Sequence, residues 1–297
     1  GQNGWGSPSA VLPMGGGALL LVIFALWEGR LARRPGGQPL IDLSLFGSRS
    51  FTWGTLLGAL AAFGMSGVLF TLPQFSQAVL GADAMGAGVQ LLPVVAGLLV
   101  GAVSANRLSS RVGARVTAAV GFALMAAGLG MGAFTHAETG YAFVAAWVAI
   151  CGAGLGFAFS SAAAGAVSAL PADRSGVGSA VMQAIQKVGV PLGAAMLGSV
   201  FSTVYQGRLV VTGLPERVAA AVQRSAFAGV TVAEQTHSSA LLASVRTAFA
   251  AGMDRMLLVC AAVTGVSVAL ALVFLPARQS STKGAPDATL REAGRTV

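Results

Sequence analysis

The sequence predicts an all-α integral membrane protein with seven spanning helices. Three observations carry that prediction. Hydrophobic residues make up 55% of the 297 positions and charged residues only 9%, where a soluble domain has about 25% charged. The mean hydropathy is +0.77. Several apolar windows reach the roughly 20 residues needed to cross the hydrocarbon core. The length is therefore spent on spans and short loops rather than on a soluble core.

The opening GQNGWGSPSA is a Gly/Ser/Pro loop with Trp5 as an interface anchor. It lacks an initiator Met and a signal-peptide pattern, so the chain is expected to be a fragment or a processed product. The first span is expected over Ala10–Trp27, ending in a loop with Glu28, Arg30, Arg33 and Arg34. IDLSLFGSRSF follows as an interfacial segment, with Ile41, Leu43, Leu45 and Phe46 dipping into the membrane surface. The second span, Phe51–Leu72, is rich in glycine and is expected to stop at Pro73. QFSQAVLGADAMG has no Lys or Arg and is placed outside.

The third span, Ala87–Ala105, holds Gln90 and the spaced pair Gly97 and Gly101, a pattern that favours close helix contact. NRLSSRVGAR is a basic inner loop with Arg107, Arg111 and Arg115. The fourth span covers Val116–Phe134 and the fifth Tyr141–Leu170. Gly152, Gly154 and Gly156 lie within the fifth. Glycines inside an apolar helix serve packing, since a phosphate loop would follow a strand.

The sixth span lies within Pro171–Tyr205. It opens with a turn, Asp173 to Gly176, and carries Gln183, Gln186 and Lys187 on one expected stripe. Gly189, Pro191 and Gly193 behind them suit a kinked, closely packed helix. Two readings fit the stripe: a cavity wall, or a lysine that snorkels while the glutamines bond to neighbouring helices.

Hydrophobicity then drops over 207–252, where two short outer helices are expected, one from Pro215 closed by Gly229 and one in SSALLASVRTAFAAG. The seventh span covers Met253–Leu275. The tail, 277–297, is expected to be disordered and cytoplasmic. The chain thus divides into 1–50 (loop, one helix, inner loop), a bundle over 51–276 with the outer insertion, and the tail.

The net charge of +8 does not mark a nucleic-acid binder. Its Lys and Arg sit in short loops between apolar runs, with no aromatic-laced patch. They follow the positive-inside rule. Every short basic loop falls on one face. Arg208, Arg217, Arg224, Arg246 and Arg255, in or beside the long loop, fall on the other. The N-terminus is then outside. Cys151 and Cys260 lie in apolar spans as buried thiols, with no metal-ligand spacing. His136 and His237 are isolated loop residues, so neither an enzyme nor a cofactor site is expected.

The order of these features resembles the major facilitator superfamily, in its drug–proton antiporter branch of fourteen spanning helices. NGWG before the first span, PLIDLSLFGSRSF before the second and LPQFSQAVLGADAMGAGVQLLP after it are similar to that branch. LSSRVGAR resembles the cytoplasmic loop signature of the superfamily. Arg111, Gly113 and Arg115 match, while Ser110 stands where the branch usually has an acid. GSAVMQAIQKVGVPLGAAMLGSV resembles its penultimate helix, with Gln183, Gln186 and Lys187 at the polar places.

The resemblance implies that the last six spans form the C-terminal six-helix bundle. It also implies proton-driven export of small amphipathic or cationic compounds across a bacterial inner membrane. The partners would be the lipid bilayer, the exported molecule, protons and a missing N-terminal half. Gln183, Gln186, Lys187, Gln90, Phe63 and Met65 are then substrate-pathway candidates, and Arg111, Gly113 and Arg115 gate-loop candidates. All ten acids map to loops or span ends, so the proton-coupling carboxylate is expected in the absent half. A heptahelical receptor and a membrane assembly subunit remain as alternatives.

Overall fold

The computed structural model describes residues 8–32, 34, 43–136, 139–167, 175–211 and 214–275. The expectations for Trp5, for the turn at Asp173 and for the tail lie outside these residues.

The described residues are helical, without strands, and seven helices are long and apolar enough to cross a membrane. The first, α1 (Pro8–Ala32), carries exposed Leu12, Leu19, Leu20, Leu26 and Trp27 along its length. The remaining spans are α2 (Arg49–Ala78), α4 (Leu92–Val112) led by the short α3 (Ala84–Val89), α5 (Ala114–Gly132), α6 (Tyr141–Val167), α7 (Ser175–Arg208) and α10 (Ser239–Phe274). Between the last two lie α8 (Glu216–Arg224) and α9 (Ala226–Gln235).

Several boundaries differ from expectation. The segment before α2 forms a 3-10 turn at Leu43–Gly47 whose Leu45 and Phe46 pack on protein, while Ile41 lies outside the described residues. Leu45 is buried with Phe51, Val181 and Met182, and the Phe46 ring meets Phe51 edge-on at 5.5 Å. Ser48 then caps α2 by accepting from the Phe51 N–H. α2 does not stop at Pro73. Proline deletes only the one backbone bond to the Leu69 carbonyl, a loss that a helix packed within a bundle tolerates.

The expected basic inner loop is mostly helix. Arg107 and Arg111 ride on the last turns of α4, and only Gly113 separates α4 from α5. Gly229 lies inside α9 instead of closing a helix. Ser225, whose hydroxyl accepts from the Ala228 N–H, splits that region into α8 and α9. The second expected outer helix is the first half of α10, one unbroken helix of 36 residues capped by Ser238.

Six spans pack into one bundle as two intertwined threes, α2–α4–α5 and α6–α7–α10. The tight partners cross between them: α4 and α5 lie on α6, α7 and α10 on α2, and α5 on α10. Exchanging α2 with α6, α4 with α7 and α5 with α10 reproduces the same pairings. α2 and α6 enter from opposite faces, so the relation is that of an inverted repeat.

Glycines set the two closest seams. A Cβ on Gly101 would stand 2.9 Å from Ala153 Cα, and one on Gly156 2.6 Å from Ala102 N, both within the α4–α6 seam. On the α2–α7 seam, Gly189 abuts Ala59 and Ala62, while Gly193 abuts Phe63 and Ser66. Gly97 and Gly152 face the Ala149 and Val94 backbones across the α4–α6 seam. Without bulky side chains the backbones close in and gain dispersion contacts that lipid would not supply.

Candidate functional site

The expected polar stripe divides between two faces of α7. Gln183 and Lys187, one turn apart, are exposed on the side away from α2. Val190 is exposed beside them, and exposed Leu192 and Met196, each half a turn away, project from the opposite side of the helix. Gln186 is rotated 100° back from Lys187 along the helix and points to α2. Its Cδ would stand 3.0 Å from a Cβ on Gly58. The three side chains therefore do not project together. Two polar groups mark a bare, otherwise apolar face, and the third fills the space opposite a glycine.

The other pathway candidates are placed elsewhere. Phe63 and Met65 are each 8% exposed and belong to the main core. Gln90 lies within the third span, Ala84–Val112, at the junction where α3 ends, and its Oε1 accepts a hydrogen bond from the Ser76 hydroxyl of α2. Ser76 lies eighteen residues along α2 from Gly58, roughly 27 Å at 1.5 Å per residue. The structure does not bring Gln90 to the α7 stripe.

Gly113 has φ 87° and ψ 160°, a region open to glycine. Its N–H donates to the Ser109 carbonyl, and its carbonyl accepts from the Thr117 hydroxyl at 2.8 Å. It ends one helix and starts the next in a single residue. Arg111 is exposed and Arg115 half-buried. Ser110, at the place of the usual acid, spends its hydroxyl on the Arg107 carbonyl at 2.8 Å.

Sequence reasoning missed a set of polar atoms that the fold buries. Among the described residues, Thr55 Oγ1, Thr135 Oγ1, Trp147 Nε1, Ser161 Oγ, Arg246 Nε and Asp254 Oδ1 have no hydrogen-bond partner within the protein. Thr55 stands near the start of α2 and Ser161 toward the end of α6. Thr135 follows the end of α5, Trp147 is near the start of α6 and Asp254 is midway along α10. Only Asp254 carried a signal in sequence, as an acid at the edge of an apolar run. No group of three or more His, Cys, Asp or Glu suited to a metal occurs among the described residues.

Residues 2–194 match the family model described as Major Facilitator Superfamily. The chain is 30% identical to the tetracenomycin C resistance and export protein of Streptomyces glaucescens, over 91% of this chain and 51% of that protein. It is also 30% identical to the multidrug efflux pump LfrA of Mycolicibacterium smegmatis, over 84% of this chain and 51% of the pump. A shorter stretch, 43% of the chain, is 37% identical to the cephamycin export protein CmcT of Amycolatopsis lactamdurans, covering 26% of that protein. The chain spans about half the length of the first and second of these relatives.

Proposed function

This chain belongs to the major facilitator superfamily, and from that premise we propose that it is the C-terminal bundle of a proton-driven exporter of small amphipathic or cationic compounds. It is a multi-pass protein of a bacterial plasma membrane. The observation that carries the proposal is the bare face of α7. A bundle with a complete core leaves Gln183 and Lys187 outward among apolar side chains. A polar pair is costly against lipid, and useful where a second bundle closes over a ligand pathway. Inverted repeats are the architecture on which alternating access operates. The missing N-terminal half would supply that second bundle and the coupling carboxylate.

Gln183 would hydrogen-bond the passing compound, and Lys187 would set which charges are admitted. Phe63, Met65 and Gln90 would act indirectly, by holding α2 in shape. Arg111, Gly113 and Arg115 would form a stiff inner corner that moves as one piece. The test is compound export from cells carrying the full-length gene, with and without a proton uncoupler. Export is expected to collapse with the uncoupler, and Lys187→Ala or Gln183→Ala to change which compounds leave by about tenfold or less, the scale of one ordinary net hydrogen bond. Export indifferent to the uncoupler sinks the proton coupling. Substitutions without effect on any exported compound remove the α7 face from the pathway.

A further inference from the structure

At Gly132 the end of α5 meets α6 near its start and α10 at mid-length. A Cβ there would lie 3.1 Å from the Trp147 ring of α6 and 3.1 Å from Leu257 Cδ1 of α10. Three residues with unpaired polar atoms surround this junction. Thr135 follows Gly132 by three residues and bonds back to it, its N–H donating to the Gly132 carbonyl at 3.1 Å. Asp254 precedes Leu257 by about one helical turn on α10. Trp147 provides the ring itself. Thr135 is 0% exposed and Trp147 1%. Thr135 Oγ1, Trp147 Nε1 and Asp254 Oδ1 all lack a partner within the protein.

These groups are chemically complementary but not directly bonded. The indole N–H only donates, an ionised carboxylate only accepts, and the hydroxyl does both. A small polar site of this kind suits water, which makes two to four hydrogen bonds to such groups. The inference goes beyond the export reading and does not depend on it. We propose that Thr135, Trp147 and Asp254 line a water-holding pocket at the outer end of the bundle, in which the Asp254 carboxylate exchanges a proton with the outer aqueous phase. On the way in, Asp254 takes a proton from hydronium and leaves water. On the way out, it returns the proton to bulk water.

The charged groups acting on Asp254 are His136, just after α5, and Arg255 on its own helix. Other titratable groups on the packed elements are placed differently. Arg49 is the only charged residue of α2 and stands at its inner end. On α7, Tyr205 is engaged with the Val222 carbonyl. Glu234 is near the end of α9 and Arg246 is on α10, eight residues before Asp254. The experiment separates Asp254 from the neighbouring His136.

The full-length protein is labelled with 5-fluorotryptophan, reconstituted in nanodiscs and followed by fluorine NMR. The Trp147 resonance is assigned by its loss in Trp147→Phe. It is expected to move with pH as a single titration and to shift between light and heavy water. Asp254→Asn is expected to abolish the titration and keep the solvent-isotope shift. His136→Gln is expected to keep the titration with a displaced midpoint. A titration that survives Asp254→Asn, or one lost only in His136→Gln, overturns the proposal. So does a wild-type resonance blind to pH or to solvent isotope. Should Asp254→Asn fail to fold, Asp254→Glu is expected to titrate with a displaced midpoint, and a pH-blind Asp254→Glu resonance overturns the proposal equally.

Discussion

Gly113 shows how one residue sets a corner of this fold. Its φ of 87° and ψ of 160° let α4 end and α5 begin without an intervening loop. A side chain there is strained whatever space surrounds it, at about 1–3 kcal/mol. Gly113→Ala is therefore expected to lower the unfolding free energy in detergent by that amount. A wild-type unfolding curve for the variant would show that the corner relaxes at little cost. Ser110 makes the same point about side chains. Its hydroxyl is used locally on Arg107, so this corner is held by backbone geometry and short-range bonds.

At the scale of elements, glycine position decides which helices touch. Gly101 faces the Ala153 backbone, while Gly130 on α5 faces open space. The same chemical change should then have opposite signs at the two positions. Gly101→Ala is expected to destabilise by about 1–3 kcal/mol, because the added methyl overlaps a neighbouring backbone that has nowhere to go. Gly130→Ala is expected to stabilise by roughly 0.5–1 kcal/mol, because it removes the entropy cost of a helical glycine and meets nothing. Thermal unfolding of both variants checks the pair, and destabilisation of similar size at both positions would refute the seam. The long helices follow from the same packing. α2 continues past Pro73 and α10 past the expected outer break because each is gripped along its length by neighbours.

For the whole molecule, α8 and α9 cap the bundle through Val222, Ala226 and Ala233 of the shared core and through a few polar bonds. The Tyr205 hydroxyl donates to the Val222 carbonyl at 3.1 Å, and the Val210 N–H donates to the Ser244 hydroxyl at 2.9 Å. Gly229 packs beside Val245 and Tyr205. Tyr205→Phe leaves the Val222 carbonyl buried and unpaired, a cost of about 1–3 kcal/mol. That loss should fall on the cap. Protease cleavage within 209–238 is expected to accelerate, with the melting of the membrane bundle nearly unchanged. Equal loss in both measurements would mean that cap and bundle unfold as one unit.

The sequence by itself determined the solvent and the class of fold. Apolar runs of spanning length separated by short basic loops admit little except helices in a bilayer, because unpaired backbone groups cannot face lipid. The number of spans followed from the same pattern, and the order of motifs from LPQF to GSAVMQ resembled the right family. Helix ends were less legible. Pro73 and Gly229 are local breakers whose effect depends on neighbours, and the start of α10 was hidden in a moderately polar stretch. Only the tertiary structure decided which way side chains point. Gln186 turns to Gly58 while Lys187, the next residue, is exposed. Phe63 and Met65 enter the core because α2 is enclosed by its partners. The end of α5, the start of α6 and the middle of α10 come together at Gly132, whose neighbours are Trp147 and Leu257. Hydrophobic periodicity records that a residue is on a helix, but the neighbour across a seam is set by the crossing of two helices, which no local pattern encodes.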